Sequence, residues 1–283
     1  MTVPEQVRDG IVLAATGRRY RALAYRAGRT IRRVMPEVAL DLFTDAPEGD
    51  PGPFDKIHDL AETGHRPKFE ALRRSRFDRT LLLDVDIVMV AGVAPVFDLF
   101  ERYDILGVHE QFGIAPITRL GPSGASSPAL RQINGGVLGV VRNDRTRAFV
   151  DHYEGTFQAL GGRFDQPALM EALAESPVRL CVLPLEYNLM HLPYMRFAVP
   201  GKMLAPRLLH LPGLHKGDAP VDASQPFDLG ELLNPHQLEA LDKLLAQDPT
   251  LGARLPLSHK AVDTIRRVPW LERKVRRLRD WLT

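Results

Sequence analysis

Short apolar runs that stop at glycine or polar residues alternate with longer segments of helical spacing, and this alternation restricts the chain to an α/β architecture. The runs fall at residues 10–16, 38–44, 80–84, 104–108, 133–141 and 178–183 and read as strands. Between the first two, residues 20–34 place Leu23, Ala27, Ile31 and Val34 at helical intervals, which marks one buried face; the other face is rich in arginine. Residues 46–53 and 112–127 carry Gly, Pro and Ser without periodicity and read as loops, the second long enough to be an active-site lid. After Gly217 the pattern turns to helical pieces, so the chain divides near residue 220. The expected organisation is a catalytic domain over 1–220 and a helical extension over 221–283.

Composition narrows the class further. At 45% hydrophobic and 25% charged residues over 283 positions, disorder and collagen are excluded. The single cysteine, Cys181, forms no intramolecular disulfide or multi-cysteine zinc site, so metal chemistry must run through carboxylates and histidines, and a reducing compartment is expected. The longest uncharged apolar stretch, residues 87–97, is 11 residues, too short to span a bilayer, and the N-terminus carries no signal pattern. The expected location is cytoplasmic. The net charge of +2 hides an asymmetry: residues 258–283 hold eight Lys or Arg against three acids. Leu271, Val275, Leu278 and Leu282 form an apolar stripe there, flanked by Trp270 and Trp281, as in a helix lying on an anionic membrane surface.

The sharpest local feature is Thr80-Leu-Leu-Leu-Asp84-Val-Asp86, an apolar strand that ends in two carboxylates spaced i, i+2. In open α/β sheets ligands bind outside the carboxyl ends of strands, and a turn there lets both acids share a hard divalent cation. The competing reading has Asp84 capping a turn and Asp86 facing solvent. Asp84-Val-Asp86-Ile-Val88 also fits the nucleophile motif of haloacid-dehalogenase-type phosphatases, although that motif normally opens its domain and two strand-like runs precede it here.

Over residues 10–217 the chain resembles retaining GT-A glycosyltransferases of family 8, the glycogenin and bacterial lipopolysaccharide galactosyltransferase type. Thr16 and Tyr20 match the threonine that ends the first strand and the tyrosine that stacks on uracil. Lys68 stands 16 residues before Asp84, as the donor-binding lysine does. Asn134-Gly135-Gly136 resembles the family's Asn-Ser-Gly, Asp165-Gln166 its Asp-Gln pair at the reacting carbon, and Leu183-Pro184-Leu-Glu-Tyr187-Asn188 its Leu-Pro-x-x-Tyr-Asn. His210-Leu-Pro-Gly213-Leu-His-Lys216 matches the His-x-x-Gly-x-x-Lys metal and phosphate motif.

The resemblance implies a GT-A nucleotide-diphospho-sugar transferase fold, a Rossmann-like mixed sheet flanked by helices. It implies a metal-dependent hexosyltransferase that moves a sugar from a nucleoside-diphosphate donor, UDP-linked by the family pattern, to a carbohydrate or lipid-linked hydroxyl acceptor with retention. Asp84, Asp86 and His210 would hold Mn2+ or Mg2+; a histidine ligand favours manganese. Thr16, Tyr20, Lys68, Asp84, Asn134, Gly135, Gly213 and Lys216 would bind the donor, and Asp165 and Gln166 would act at the sugar. Departures bear on specificity: Gly17-Arg18 replaces the family's Asn-Asp, and Gly217-Asp218 its Pro-Trp. His215 and His191 read as structural. A non-catalytic sugar-nucleotide-binding protein remains the non-enzymatic alternative.

Overall fold

The computed structural model of the chain describes residues 8–61, 66–112, 131–216 and 221–252. The loop expected beyond Phe112, the boundary near residue 220 and the basic tail at 258–283 lie outside the described residues. Two compact units emerge, one of Met1–Leu192 with Pro206–Leu233, the other of Pro193–Ala205 with Asn234–Thr283.

The first unit is built on a seven-stranded sheet, β3-β2-β1-β4-β7-β6-β8 in spatial order, with a separate antiparallel pair β5-β9. The strands are β1 Asp9–Ala15, β2 Ala39–Thr44, β3 Lys56–Asp59, β4 Arg79–Leu83, β5 Ile87–Met89, β6 Ile105–His109, β7 Ile133–Val141, β8 Leu180–Leu183 and β9 Leu208–His210. The helices are α1 Gly17–Val34, α2 Lys68–Arg74, α3 Asp144–Ala159, α4 Asp165–Glu175 and α5 Leu229–Leu232, with α6 Pro235–Gln247 in the second unit. β1, β2, β3 and β4 are mutually parallel, and only β7 runs against its neighbours β4 and β6. The sheet is therefore mixed but mostly parallel.

Helices cover both faces, which is why the central strands read as continuous apolar runs rather than alternating ones. Phe69 of α2, Phe149 and Tyr153 of α3 and Leu169 of α4 share a core with Val12, Phe43, Leu82 and Leu138. Successive strand residues point to opposite faces, so Ile11 and Leu13 are buried on the other side. There α1 packs against β1, β2 and β5 and buries Leu23, Ala27 and Ile31. Gly17, at the start of α1, has φ of 77°, a conformation glycine adopts without penalty, and its amide donates to Asp45 Oδ2 at 2.8 Å. A side chain of β2's trailing turn thus caps α1 in place of Thr16, which makes no side-chain cap.

The mixed topology positions the site. Thr16 follows β1 and Asp84 follows β4 at one edge of the parallel strands. Because β7 is antiparallel to β4, its first residues, Asn134 and Gly135, arrive at that same edge, and Asp84 N–H donates to Gly136 O at 2.9 Å. Glu110, just past β6, and residues 184–188, past β8, are delivered there too. In the second unit, α6 opens with a reciprocal capping box between Asn234 and Gln237 and buries Leu241 and Leu244. Asp248, fully buried, accepts from the amides of Ala205 and Thr250. Among the described residues no helix is long and apolar enough to cross a membrane.

Candidate active site

Asp84 and Asp86 flank a tight turn closed by Ile87 N–H donating to Asp84 O at 3.2 Å. Val85 between them is buried, and the turn brings the two acids to one place. The β5-β9 pair then does what sequence proximity cannot: its register sets Ile87 opposite His210, and Leu211 N–H donates to Asp86 O at 3.0 Å. One ligand atom from each of Asp84, Asp86 and His210 lies within 4.8 Å of the others. Far from facing solvent, Asp86 is 1% exposed.

A chain of hydrogen bonds fixes the histidine. Glu110, a buried acceptor, takes Asn134 Nδ2–H at 2.8 Å, which turns Asn134 Oδ1 toward the Gly136 amide at 2.9 Å and Asn188 Nδ2 at 2.9 Å. Asn188 must then present Oδ1 to His210 Nδ1, 2.9 Å away. Nδ1–H donates in that arrangement, and Nε2 is the nitrogen turned toward Asp86, to which it donates when the ring is protonated. Gln166 joins the same network, donating from Nε2 to Glu110 at 3.2 Å and Gln132 at 3.0 Å.

Asp86 Oδ2 lies 3.3 Å from His210 Nε2 and 2.7 Å from His215 Nε2, while Oδ1 is buried without a hydrogen-bond partner among the described residues. Burial pushes the Asp86 carboxyl up, but the hydrogen bonds from His210 and His215 outweigh it and hold the group well below the usual carboxylate range. For His210 burial pulls down, and the Asp86 hydrogen bond and charge prevail and raise it. A buried carboxylate oxygen with no partner is costly unless something of opposite charge meets it. Two carboxylates and an imidazole nitrogen suit a divalent cation of borderline character, so these residues fit such an ion.

Beside this trio stands a second buried charge pair. Lys68, the first residue of α2, is 7% exposed; its Nζ lies 2.7 Å from Asp165 Oδ2 and 3.5 Å from Asp84 Oδ1 and donates to Gly135 O at 3.1 Å. Asp165 opens α4, where the helix dipole favours an anion, and also accepts from Tyr153 Oη at 3.3 Å. Burial alone would raise the Asp165 carboxyl, yet the Lys68 and Arg66 charges hold it far below its ordinary value. Burial likewise lowers Lys68, and Asp165 and Asp84 more than reverse it.

A cavity of about 530 Å³ opens at this edge, lined among others by Thr16, Tyr20, Lys68, Asp84 and His215. Tyr20 is 44% exposed, and its ring lies 5.1 Å from that of His215 at 33°. A large aromatic left open at a cavity wall offers a flat face to a ring. Gly213 and Lys216 sit on a short 3-10 turn, Pro212–His215, and its end; both are exposed and neither lines the cavity. Arg19 holds that turn against the start of α1, donating to Leu214 O at 3.0 Å and Lys216 O at 2.7 Å.

The sequence-expected residues thus gather in two groups. Asp84, Asp86, Asn134, His210 and Gln166 belong to the hydrogen-bonded cluster, and Lys68, Gly135 and Asp165 to the adjoining charge pair, with Thr16 and Tyr20 on the cavity wall. Sequence reasoning passed over Glu110, Arg66 and the part played by His215. Glu110 carried no signal beyond trailing a strand, whereas His215 lies within the His-x-x-Gly-x-x-Lys span and could have been weighed with it.

No protein-family model and no curated protein matches the chain. Solved structures do. An active-site mutant of LgtC superposes with a TM-score of 0.56 at 13% identity, over 72% of this chain and 87% of that one. The galactosyltransferase LgtC in complex with donor and acceptor sugar analogs gives 0.53 at 12% identity over the same shares. The glycosyltransferase GlyE of Streptococcus pneumoniae TIGR4 gives 0.50 at 16% identity, over 72% of this chain and 55% of that one. At these identities the likeness speaks for the backbone, and the backbone is that of a GT-A fold.

Proposed function

We propose that the protein is a metal-dependent glycosyltransferase that moves a sugar, with retention, from a UDP-linked donor to a hydroxyl of a carbohydrate or lipid-linked acceptor. The observation that carries this reading is the meeting of Asp84, Asp86 and His210 beside a cavity that also presents Tyr20 and Lys68. The fold shared with sugar-nucleotide transferases supports it.

Each residue type answers a need of the reaction. Tyr20 and Thr16 take the nucleobase, and Asp84, Asp86 and His210 hold a divalent ion, manganese in preference to magnesium. An ion held by these three residues would supply positive charge to offset what develops on the diphosphate as the anomeric bond breaks. Lys216, at the end of the exposed turn that carries Gly213, reaches for the phosphates. Lys68 keeps Asp165 ionised and fixes its rotamer, so that a carboxylate stands ready beside the electron-poor anomeric carbon. Glu110 and Gln132 claim the Nε2 of Gln166, so the amide oxygen is the end it presents to sugar hydroxyls. Asn134 and Gly135 line the sugar through backbone and amide groups.

The test is donor turnover by the purified protein with Mn2+ and a panel of UDP-sugars, with the product's anomeric configuration read by NMR. Turnover should disappear in Asp86→Ala and in His210→Ala. Binding without turnover would favour a sugar-nucleotide-binding protein, and phosphate monoester hydrolysis through a phospho-aspartate at Asp84 a phosphatase.

A further inference from the structure

We infer that His215 is a positioning residue shared by two parts of the site: its Nε2–H holds the cation-binding carboxylate of Asp86, and its ring backs that of Tyr20. This rests on the sugar-nucleotide reading and adds a residue to it. The turn that carries His215 is anchored at both ends. At its start Leu211 N–H donates to Asp86 O at 3.0 Å, and at its end Arg19 donates to Leu214 O at 3.0 Å and to Lys216 O at 2.7 Å. Arg19 precedes Tyr20 in the first turn of α1, so the 3-10 turn joins the Asp86 turn to the start of that helix.

The imidazole uses both connections. Nε2 lies 2.7 Å from Asp86 Oδ2, and because an ionised carboxylate only accepts, Nε2 supplies the hydrogen. The same oxygen stands 3.3 Å from His210 Nε2. A donor fixed on Oδ2 sets the Asp86 rotamer and leaves lone pairs for an ion, the part an outer partner plays for a ligating carboxylate. Asp86 Oδ1 has no hydrogen-bond partner among the described residues.

The other contact is aromatic. The His215 and Tyr20 rings stand 5.1 Å apart at 33°, within the range of favourable ring pairs, and both residues line the cavity. His215 Nδ1 is buried with no hydrogen-bond partner among the described residues, so Asp86 at one edge and Tyr20 at the face orient the ring. A residue kept only to fill this short turn needs neither contact. A ring with an N–H on its edge meets a carboxylate and an aromatic face together. The cation side and the nucleobase side of the cavity therefore share one side chain.

Two titrations of the full chain read the two roles apart: Mn2+ alone by calorimetry, and uridine in EDTA by NMR, since uridine carries no phosphate to meet a cation. His215→Ala should weaken Mn2+ binding about tenfold or more, as loss of a partner to a ligating carboxylate does. It should also weaken uridine binding about threefold or more, in keeping with one aromatic pair. The conservative variants should split these effects. His215→Gln keeps an N–H for Asp86 and should restore Mn2+ affinity but not uridine affinity, whereas His215→Phe keeps the ring and should restore uridine but not Mn2+. Thermal melts verify folding, and should His215→Phe fail to fold, the split in His215→Gln carries the test. Variants that lose both affinities together, or neither, overturn the inference. Mn2+ affinity that glutamine does not restore makes His215 a ligand itself and overturns the positioning role. Absence of uridine binding in a parent protein that binds UDP with Mn2+ also overturns it, while absence of that UDP binding overturns the sugar-nucleotide reading instead.

Discussion

Replacing Lys68 by methionine and measuring stability without metal or substrate probes the buried charge pair directly. Methionine keeps most of the lysine stem's volume, so little cavity cost arises. What is lost is the 2.7 Å contact to Asp165, the longer 3.5 Å contact to Asp84 and the donation to Gly135 O. Asp165 is then a buried carboxylate supported by the Tyr153 hydroxyl at 3.3 Å and by Arg66 at 3.7 Å. Removing one partner of a buried pair costs about 3–5 kcal/mol, and the residual arginine contact sets the expectation at about 3 kcal/mol at neutral pH. For a domain of this size that lowers Tm by about 6–12 °C. The pH dependence is the sharper signature. In the parent protein Asp165 is held below its unfolded value, so its contribution is complete above about pH 4 and is lost only in stronger acid. In the variant burial dominates and the folded carboxyl rises above its unfolded value, so the penalty is greatest at neutral pH and relaxes as pH falls through that raised value. Lys68, held above its ordinary value, does not titrate below about pH 10. Urea melts of metal-free protein between pH 4.5 and 8 should therefore show the stability gap closing toward acid. Adding Asp165→Asn to the variant should recover part of the loss at pH 7, because the uncompensated charge is gone. A gap below about 1 kcal/mol, or one that ignores pH, would refute the reasoning.

Three further outcomes are expected. Gly136→Ala would place a methyl 2.5 Å from His210 Cε1 and 2.8 Å from its Nδ1, closer than side chains approach, so the ring must shift; Mn2+ affinity measured by titration should drop about tenfold or more, as for loss of an orienting neighbour, and unchanged affinity would count against His210 as a ligand. Tyr20→Ala should weaken UDP binding by about tenfold through lost stacking, yet change stability by no more than about 0.5 kcal/mol because the ring is exposed; a large stability loss with intact UDP binding would make Tyr20 a packing residue. Deleting residues 258–283 should abolish cosedimentation with anionic vesicles, an attraction that in the full chain should weaken with added salt; undiminished vesicle binding would free the tail of that role.

Most of the strands that sequence patterning locates are buried on both faces; β8, a partly exposed edge strand, is the exception and is read with two residues too many at its start. β7 was read at the bounds it has, and β1, β2 and β4 were read to within one residue, because long apolar runs bounded by polar residues admit no other use. The three that escaped are short or lie at an edge. β3, Lys56-Ile-His-Asp, has exposed ends and lies beyond β2, so no apolar run marks it. β5 and β9 are fully buried but three residues long, and each becomes a strand only by pairing with the other. Their pairing is what brings His210 beside Asp86, a long-range event that no local propensity encodes. The candidate site was legible as a set of residue types but not as a network. Nothing in the sequence says that Asn188 and Asn134 relay Glu110 to His210, or that His215 turns inward.

The network also shows why these residues fit a cation. Glu110 is buried, but it accepts from Asn134 Nδ2, Gln166 Nε2 and the Phe112 amide, enough donors to keep an anion in place. Asp165 is answered by Lys68. That leaves Asp84, half-buried, which shares Lys68 at a longer distance, and Asp86, which keeps one oxygen without a hydrogen-bond partner. The relay occupies His210 Nδ1–H with Asn188 and so turns Nε2 toward Asp86. The charge gathers at one point, the meeting place of Asp84, Asp86 and His210, where a divalent ion would relieve the repulsion of both carboxylates and use the Nε2 lone pair in a single step.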